Sequence, residues 1–308
     1  MPPRGDFSDL VGCRLPFQLA SLGGPVGTPE LAAAVSEAGG LGMIPNPSSA
    51  AEVDELVAAT RALTAAPVGI GFLIPFVATE AVEGAARTVG VVEFFYGQPD
   101  PALIRTARSG GAVAGWQVGS AAEARAAVDA GCGYVVAQGI EAGGHVRGTQ
   151  PLDEVLAETL DAVDVPVVAA GGVGTAERLA QLIQAGASAV RVGTRFVVAE
   201  EAAAHPTYVD MLLAASEDDT VLCEAFATGW AGAPHRVLRA AVEAAEHSDL
   251  EVVGTLGDRE IPPFAPLPPT RHVEGEVAAM ALYAGQSVGA VKRVQPASEI
   301  VAELTARL

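Results

Sequence analysis

Cations are scarce in this 308-residue chain. It has one lysine, Lys292, and its 18 basic residues face 37 acidic ones, for a formal net charge of −19 at pH 7. A surface this acidic does not track a phosphate backbone or an anionic membrane by bulk electrostatics, which excludes a nucleic-acid or membrane-surface protein. Cysteine is scarce too. Cys13, Cys132 and Cys223 are odd in number and far apart. They fit neither a disulfide framework nor a zinc cluster, so we expect reduced thiols and no metal. Long apolar runs are missing, and none reaches the ~18 residues that span a bilayer. Residues 1–10 lack the apolar core of a secretory leader, which makes a cytoplasmic location the expectation. Only 18% of the chain is charged and half is hydrophobic. That excludes disorder. The length suits one large domain, or one domain with an insert. A small anion stays an allowed ligand if backbone N–H groups hold it.

Short apolar runs rich in β-branched residues occur at 17–20, 41–44, 68–74, 91–96, 112–118, 134–138, 165–170 and 189–192. Gly or Pro bounds most of them, as expected of strands buried on both faces. Helical stretches such as 29–38, 50–63, 121–130 and 175–185 lie between them. Thr28 before Pro29 is a helix start, and Gly39, Gly131 and Gly186 are helix stops. Repeated β-α units imply a parallel sheet, and eight of them a closed (β/α)₈ TIM barrel. An open doubly wound sheet usually has fewer strands and a glycine-rich turn after the first. Here the glycine-rich turns follow the sixth, seventh and eighth. After residue 200 the rhythm stops. We expect a helix at 205–215 and a small, mainly helical insert at 216–270, ending in a return with five prolines in 261–270. The barrel then comprises residues 1–215 and 271–308, with the insert as a substrate lid. Amphipathic helices at 274–284 and 297–308 would close the outer ring.

Function in such a barrel sits on the loops after the strands. The loop after the sixth, Gln138-Gly-Ile-Glu-Ala-Gly-Gly-His-Val-Arg-Gly148, holds four glycines and His145. Glycines let backbone approach a ligand, and a histidine exchanges protons near neutral pH. His205, His235, His247 and His272 read instead as surface or capping histidines. The turns Gly171-Gly172-Val173-Gly174 and Gly193-Thr194-Arg195 follow the seventh and eighth strands, where phosphate sites recur in this fold. Backbone N–H groups there suit an anion, Thr194 adds a hydroxyl, and Arg195 adds charge or an ion pair. Together these features imply a phosphorylated organic cofactor.

These segments resemble one family. QGIEAGGHVRG, AAGGVGTAERLAQLIQAGASAVRVGTRFVVAEE and YAGQSVGAVKRV are similar to the nitronate monooxygenases, formerly 2-nitropropane dioxygenases, as is the opening PFQLASLGGPVGTPELAAAVSEAGGLGMI. The resemblance implies a TIM barrel that binds FMN without a covalent link. It places the catalytic base and nitronate anchor on His145. It places flavin contacts on Gly71, Gln117, Gln138, Gly143, Gly144, Gly171, Gly172, Arg191, Gly193 and Thr194, with the phosphate against Gly172, Gly193 and Thr194. Gly71 stands where the family often has an asparagine, and Leu19-Ala-Ser-Leu22 replaces its usual Gln-Ala-Pro-Met. The implied reaction is oxidation of alkyl nitronates or nitroalkanes by O₂ to a carbonyl compound and nitrite. The expected partners are these small molecules, with no nucleic acid and no membrane, and a homodimer is compatible. Two rivals share the motifs: an FMN-dependent NAD(P)H:quinone or enoyl-thioester reductase, and a flavin-binding protein without catalysis.

Overall fold

The computed structural model describes residues 5–308. Residues 1–4, part of both the leader-free opening and the barrel span read from the sequence, lie outside the described residues. Eight parallel strands carry the fold: β1 (Phe17–Leu19), β2 (Gly42–Pro45), β3 (Val68–Leu73), β4 (Val91–Phe95), β5 (Val113–Val118), β6 (Tyr134–Gln138), β7 (Val167–Ala170) and β8 (Ala189–Val192). Each pairs with its neighbour in sequence, and β8 pairs with β1. A bridge from Gln18 to Leu41 joins β1 to β2 and closes the ring. Leu19 N–H donates to Leu41 O at 2.9 Å and Leu41 N–H to Phe17 O at 2.8 Å. All eight strands fall on the apolar runs of the sequence.

The outer helices begin where local chemistry favours it. Thr28, Ser49, Ser120 and Thr175 each accept a backbone N–H at the start of Pro29–Glu37, Ala50–Arg61, Ala121–Asp129 and Ala176–Gln184. A hydroxyl at this position satisfies one donor that the helix itself leaves orphaned. Thr79–Thr88, Pro101–Ser109 and Leu152–Ala162 continue the ring. Ala297–Thr305 packs between Pro29–Glu37 and Ala176–Gln184 and completes it.

Alternation along the strands sorts side chains into two cores. Phe17, Leu19, Val92, Phe94, Ala114, Trp116, Val190 and Val192 face the helices. Leu41, Met43, Val91, Tyr134, Val136, Val168 and Ala189 fill the barrel, and Phe7 of the helix Phe7–Val11 packs edge-on to Tyr134. Above this layer the inward positions turn polar. Gln18, Glu93 and Arg191 are buried there, with Arg191 and Glu93 in an ion pair. Glu93 also accepts from Tyr134 Oη at 2.8 Å and Gln18 Nε2 at 3.1 Å. Arg191 donates to Gln18 Oε1 at 2.9 Å and to Gln117 Oε1. Burial, reinforced by the Glu93 charge, pushes the Tyr134 phenol well above its ordinary pKa, so it stays a neutral donor.

Two expectations for the late chain need correction. The segment 216–270 is not mainly helical. It holds the helix Arg239–His247 and a 3₁₀ turn, but also the strands Thr220–Cys223, His235–Leu238, Gly254–Leu256 and Arg259–Ile261. Its short stretches pair with each other, with Val273–Gly275 and with Gly144–His145 of the barrel loop. Residues 274–284 do not form an amphipathic helix. Ala279 to Leu282 and Ala284 are all buried, and the chain runs extended beside His235–Leu238, with Leu238 N–H on Leu282 O and Ala284 N–H on Arg236 O. A fully buried apolar run reads the same for helix and strand, and here pairing decided it.

Replacing Glu93 with Leu strands the Arg191 charge inside the barrel and should cost about 3 kcal/mol in urea unfolding. The double variant Glu93→Leu with Arg191→Met should recover much of that loss. Equal destabilisation of both variants would show that the pair does not carry the energy.

Candidate functional site

A cavity of about 1240 Å³, counted out to its open mouth, lies over the C-terminal ends of the strands. Its floor is the polar layer, through Glu93, Gln117 and Arg191. One wall is backbone-rich: Gly143, Gly171, Gly172, Gly193, Thr194 and Ser287. Much of the remaining lining is apolar and aromatic, including Leu22, Leu73, Phe95, Tyr208 and Tyr283. His145 and all ten expected cofactor residues line this one cavity, including Gly71, Gln138 and Gly144. Arg195 does not. It bonds Gln295 and pairs with Glu303 at 3.2 Å, tying the last helix to the barrel.

The backbone wall is built by close approach. A Cβ on Gly143 would stand 2.4 Å from the Gly285 nitrogen. Gly285 N–H in turn donates to Thr194 Oγ1 at 2.9 Å. The loop after β6, the turn after β8 and the segment around Gly285 therefore meet backbone to backbone. The hydroxyl of Thr194, whose oxygen is already an acceptor there, keeps its own proton to donate. Gly171 holds φ 121°, open essentially to glycine alone. Beyond it the chain enters Ala176–Gln184, where Thr175 satisfies the Arg178 N–H and the remaining first-turn donors lack intrahelical acceptors. The chemistry of this wall fits an anion such as a phosphate.

Gln138 shapes the histidine loop. Its Nε2 donates to His145 O at 2.9 Å and its Oε1 accepts Arg147 N–H at 3.1 Å. His145 belongs to a two-residue strand, Gly144–His145, paired to His235 and Arg236. Its ring lies among Trp230 at 3.9 Å, His235 at 5.4 Å, Tyr96 at 5.5 Å and Tyr283 at 5.6 Å between centroids. Its Nε2 is buried without a protein partner. Burial, with a smaller contribution from His235, pushes its pKa down to about 3, so the ring is neutral. His235, expected to be a surface or capping histidine, is fully buried. Its Nε2 accepts Phe226 N–H at 3.1 Å and its Nδ1 lies 2.8 Å from Ala233 O, so both nitrogens serve the fold.

The sequence reading missed Gln18, Glu93, Ser21, Ser287 and the aromatic surround of His145. Gln18 and Glu93 had a signal: each is the lone polar residue of an apolar strand, FQL and VVEFF. Ser21 had one as well, as a departure in the first loop. Its Oγ is buried without a partner, and it occupies the space that a Cβ on Gly71 would enter, 2.2 Å away. Arg191 lines the cavity as a member of the polar layer, its guanidinium already held by Glu93, Gln18 and Gln117.

The family model described as nitronate monooxygenase matches residues 5–87 and 78–307. FabK of Thermotoga maritima superposes with a TM-score of 0.82 at 30% identity, covering 97% of this chain and 94% of that one. A nitroalkane oxidase of Streptomyces ansochromogenes gives 0.78 at 29% identity, covering 98% and 97%. The (3aS,4S,5R,7aS)-5-hydroxy-7a-methyl-1-oxo-octahydro-1H-indene-4-carboxyl-CoA dehydrogenase of Rhodococcus jostii RHA1 is 32% identical over 248 residues, 80% of this chain and 69% of that one. With a family model spanning nearly the whole barrel and its insert, this chain belongs to the nitronate monooxygenase family of flavin-dependent oxidoreductases.

Proposed function

We propose that the cavity holds FMN and that the protein oxidises small alkyl nitronates with O₂, yielding a carbonyl compound and nitrite. The observation that carries this reading is a neutral histidine with an unsatisfied Nε2, lining the same cavity as a backbone wall packed so closely that its Gly143 has no room for a Cβ. Gly171, Gly172, Gly193 and Thr194 would hold the phosphate through N–H and hydroxyl donors, leaving the polar floor and His145 around the ring. When bound, FMN supplies the electron acceptor. His145 offers a hydrogen bond to the nitronate oxygens. Its burial makes taking on a proton costly, which favours the anchor over the base. The apolar lining keeps water from the reacting carbon.

A second reading, an enoyl-thioester reductase or acyl-CoA dehydrogenase, is favoured by the likeness to FabK and to the Rhodococcus enzyme. A CoA ester brings several phosphates. Among the residues lining the cavity the one cation is Arg191, already paired to Glu93. This supports the smaller substrate.

Anaerobic titration separates the two: nitronate should bleach the visible flavin band and NADH or NADPH should not, and the reverse result would replace the nitronate reading. His145→Asn should lower kcat/KM for nitrite release about 10²-fold, the scale of one lost charge-stabilising donor. An undiminished rate would remove His145 from the reaction. The free enzyme's kcat/KM on preformed nitronate should show no inflection at the ordinary histidine pKa. The active neutral ring persists above its lowered pKa and is lost only as pH falls towards about 3. Gly143→Ala should give protein with unchanged far-ultraviolet circular dichroism that purifies without FMN. Normal flavin content in that variant would contradict the assigned cradle.

A further inference from the structure

We propose that Trp230 is the positioning residue for His145, delivered by the insert to fix the plane of the imidazole. The indole stacks on that ring, with centroids 3.9 Å apart and planes 25° from parallel. The indole is itself gripped. Tyr96, after β4, meets it edge-on at 4.8 Å, and Phe76, after β3, meets it edge-on at 5.0 Å. Such pairs contribute beyond their buried area and define relative orientation.

Backbone bonds fix how far Trp230 stands from His145. The loop carrying it, residues 226–234, leads directly into the strand His235–Leu238. That strand pairs His235 with His145 and Arg236 with Gly144, and Val146 N–H donates to Pro234 O at 2.8 Å. The loop's two ends are tied to the His235 ring, through Phe226 N–H and Ala233 O. Its middle is tied down by Thr228, whose N–H bonds Phe264 O at 3.0 Å and whose hydroxyl bonds Pro263 O at 3.1 Å. Trp230 N–H closes a turn on Ala227 O at 2.9 Å. The imidazole thus rides on one strand of a small sheet, and the indole on the loop that leads into the neighbouring strand. Trp230 does not line the cavity, so it supports the ring from the side and acts on substrate only through His145.

The proposal rests on His145 being the residue that meets substrate, and the test separates the two claims. In the protein as purified, with ¹³C-labelled histidine, the His145 ring signals are followed by NMR through an acid titration. The other titratable groups about this ring are His235, Tyr96 and Tyr283, with Arg147 over Tyr96, and none is altered. Trp230→Ala uncovers one ring face and should raise the His145 pKa by about 1 unit or more, while Trp230→Phe keeps an aromatic cover and should restore most of the difference. In parallel, Trp230→Ala should lower kcat for nitrite release about 10-fold, the scale of a lost alignment, and Trp230→Phe should recover it. An unmoved titration in Trp230→Ala overturns the proposal. A moved titration in Trp230→Ala, with no nitrite released by the unaltered protein, overturns the nitronate reading and leaves the positioning role standing.

Discussion

The ion pair between Arg191 and Glu93 is the constraint on which the site depends. A parallel barrel buries both faces of every strand, so an inward polar side chain must find its partners inside the barrel. Five inward residues from five strands solve this together: Gln18, Glu93, Gln117, Tyr134 and Arg191. Their shared network divides the interior. Below it the barrel is solid hydrocarbon plugged by Phe7; above it lies a cavity with a polar floor. The same arrangement shows how an acidic chain would host the proposed anion. The one cation at the cavity floor is neutralised by Glu93, so donors for a negative group come from backbone and from Thr194. These are short-range, and the net surface charge is screened beyond ~8 Å.

Most of the barrel was legible because a buried parallel strand has a plain signature. VVAA and AVRV, each followed by a glycine turn and a capped helix, admit few other readings. The eleven site residues named from the sequence all meet at one cavity, since the loops after the strands share an end of the barrel by construction. Where the reading failed, the reason was nonlocal pairing. The stretch from Ala279 to Ala284 is apolar at nearly every position, and only the presence of His235–Leu238 beside it makes it extended. Likewise the strands of the insert are three or four residues long, below the length at which periodicity speaks. His235 was misjudged for a related cause. Nothing local marks a histidine whose two nitrogens close a loop on either side of it.

The insert is therefore bound into the histidine loop itself. Its sheet runs from Thr220–Cys223 through His235–Leu238 to Gly144–His145, so the strand bearing His145 is an edge strand of the insert. Barrel and insert share a histidine, and neither presents it alone. Family members that differ within the insert can retune the surroundings of that ring while the glycine turns after β7 and β8 stay as they are.

The contact between Gly71 and Ser21 bears on the shape of the cavity. The space beside Gly71 is filled by the Ser21 hydroxyl, at a distance no Cβ tolerates. The two positions form one unit, fifty residues apart in the chain. A larger residue at 71 requires that the Ser21 side chain move aside or be lost. The two sites are thus sterically coupled, and the volume open to a ligand beside them is set by the pair and by neither residue alone.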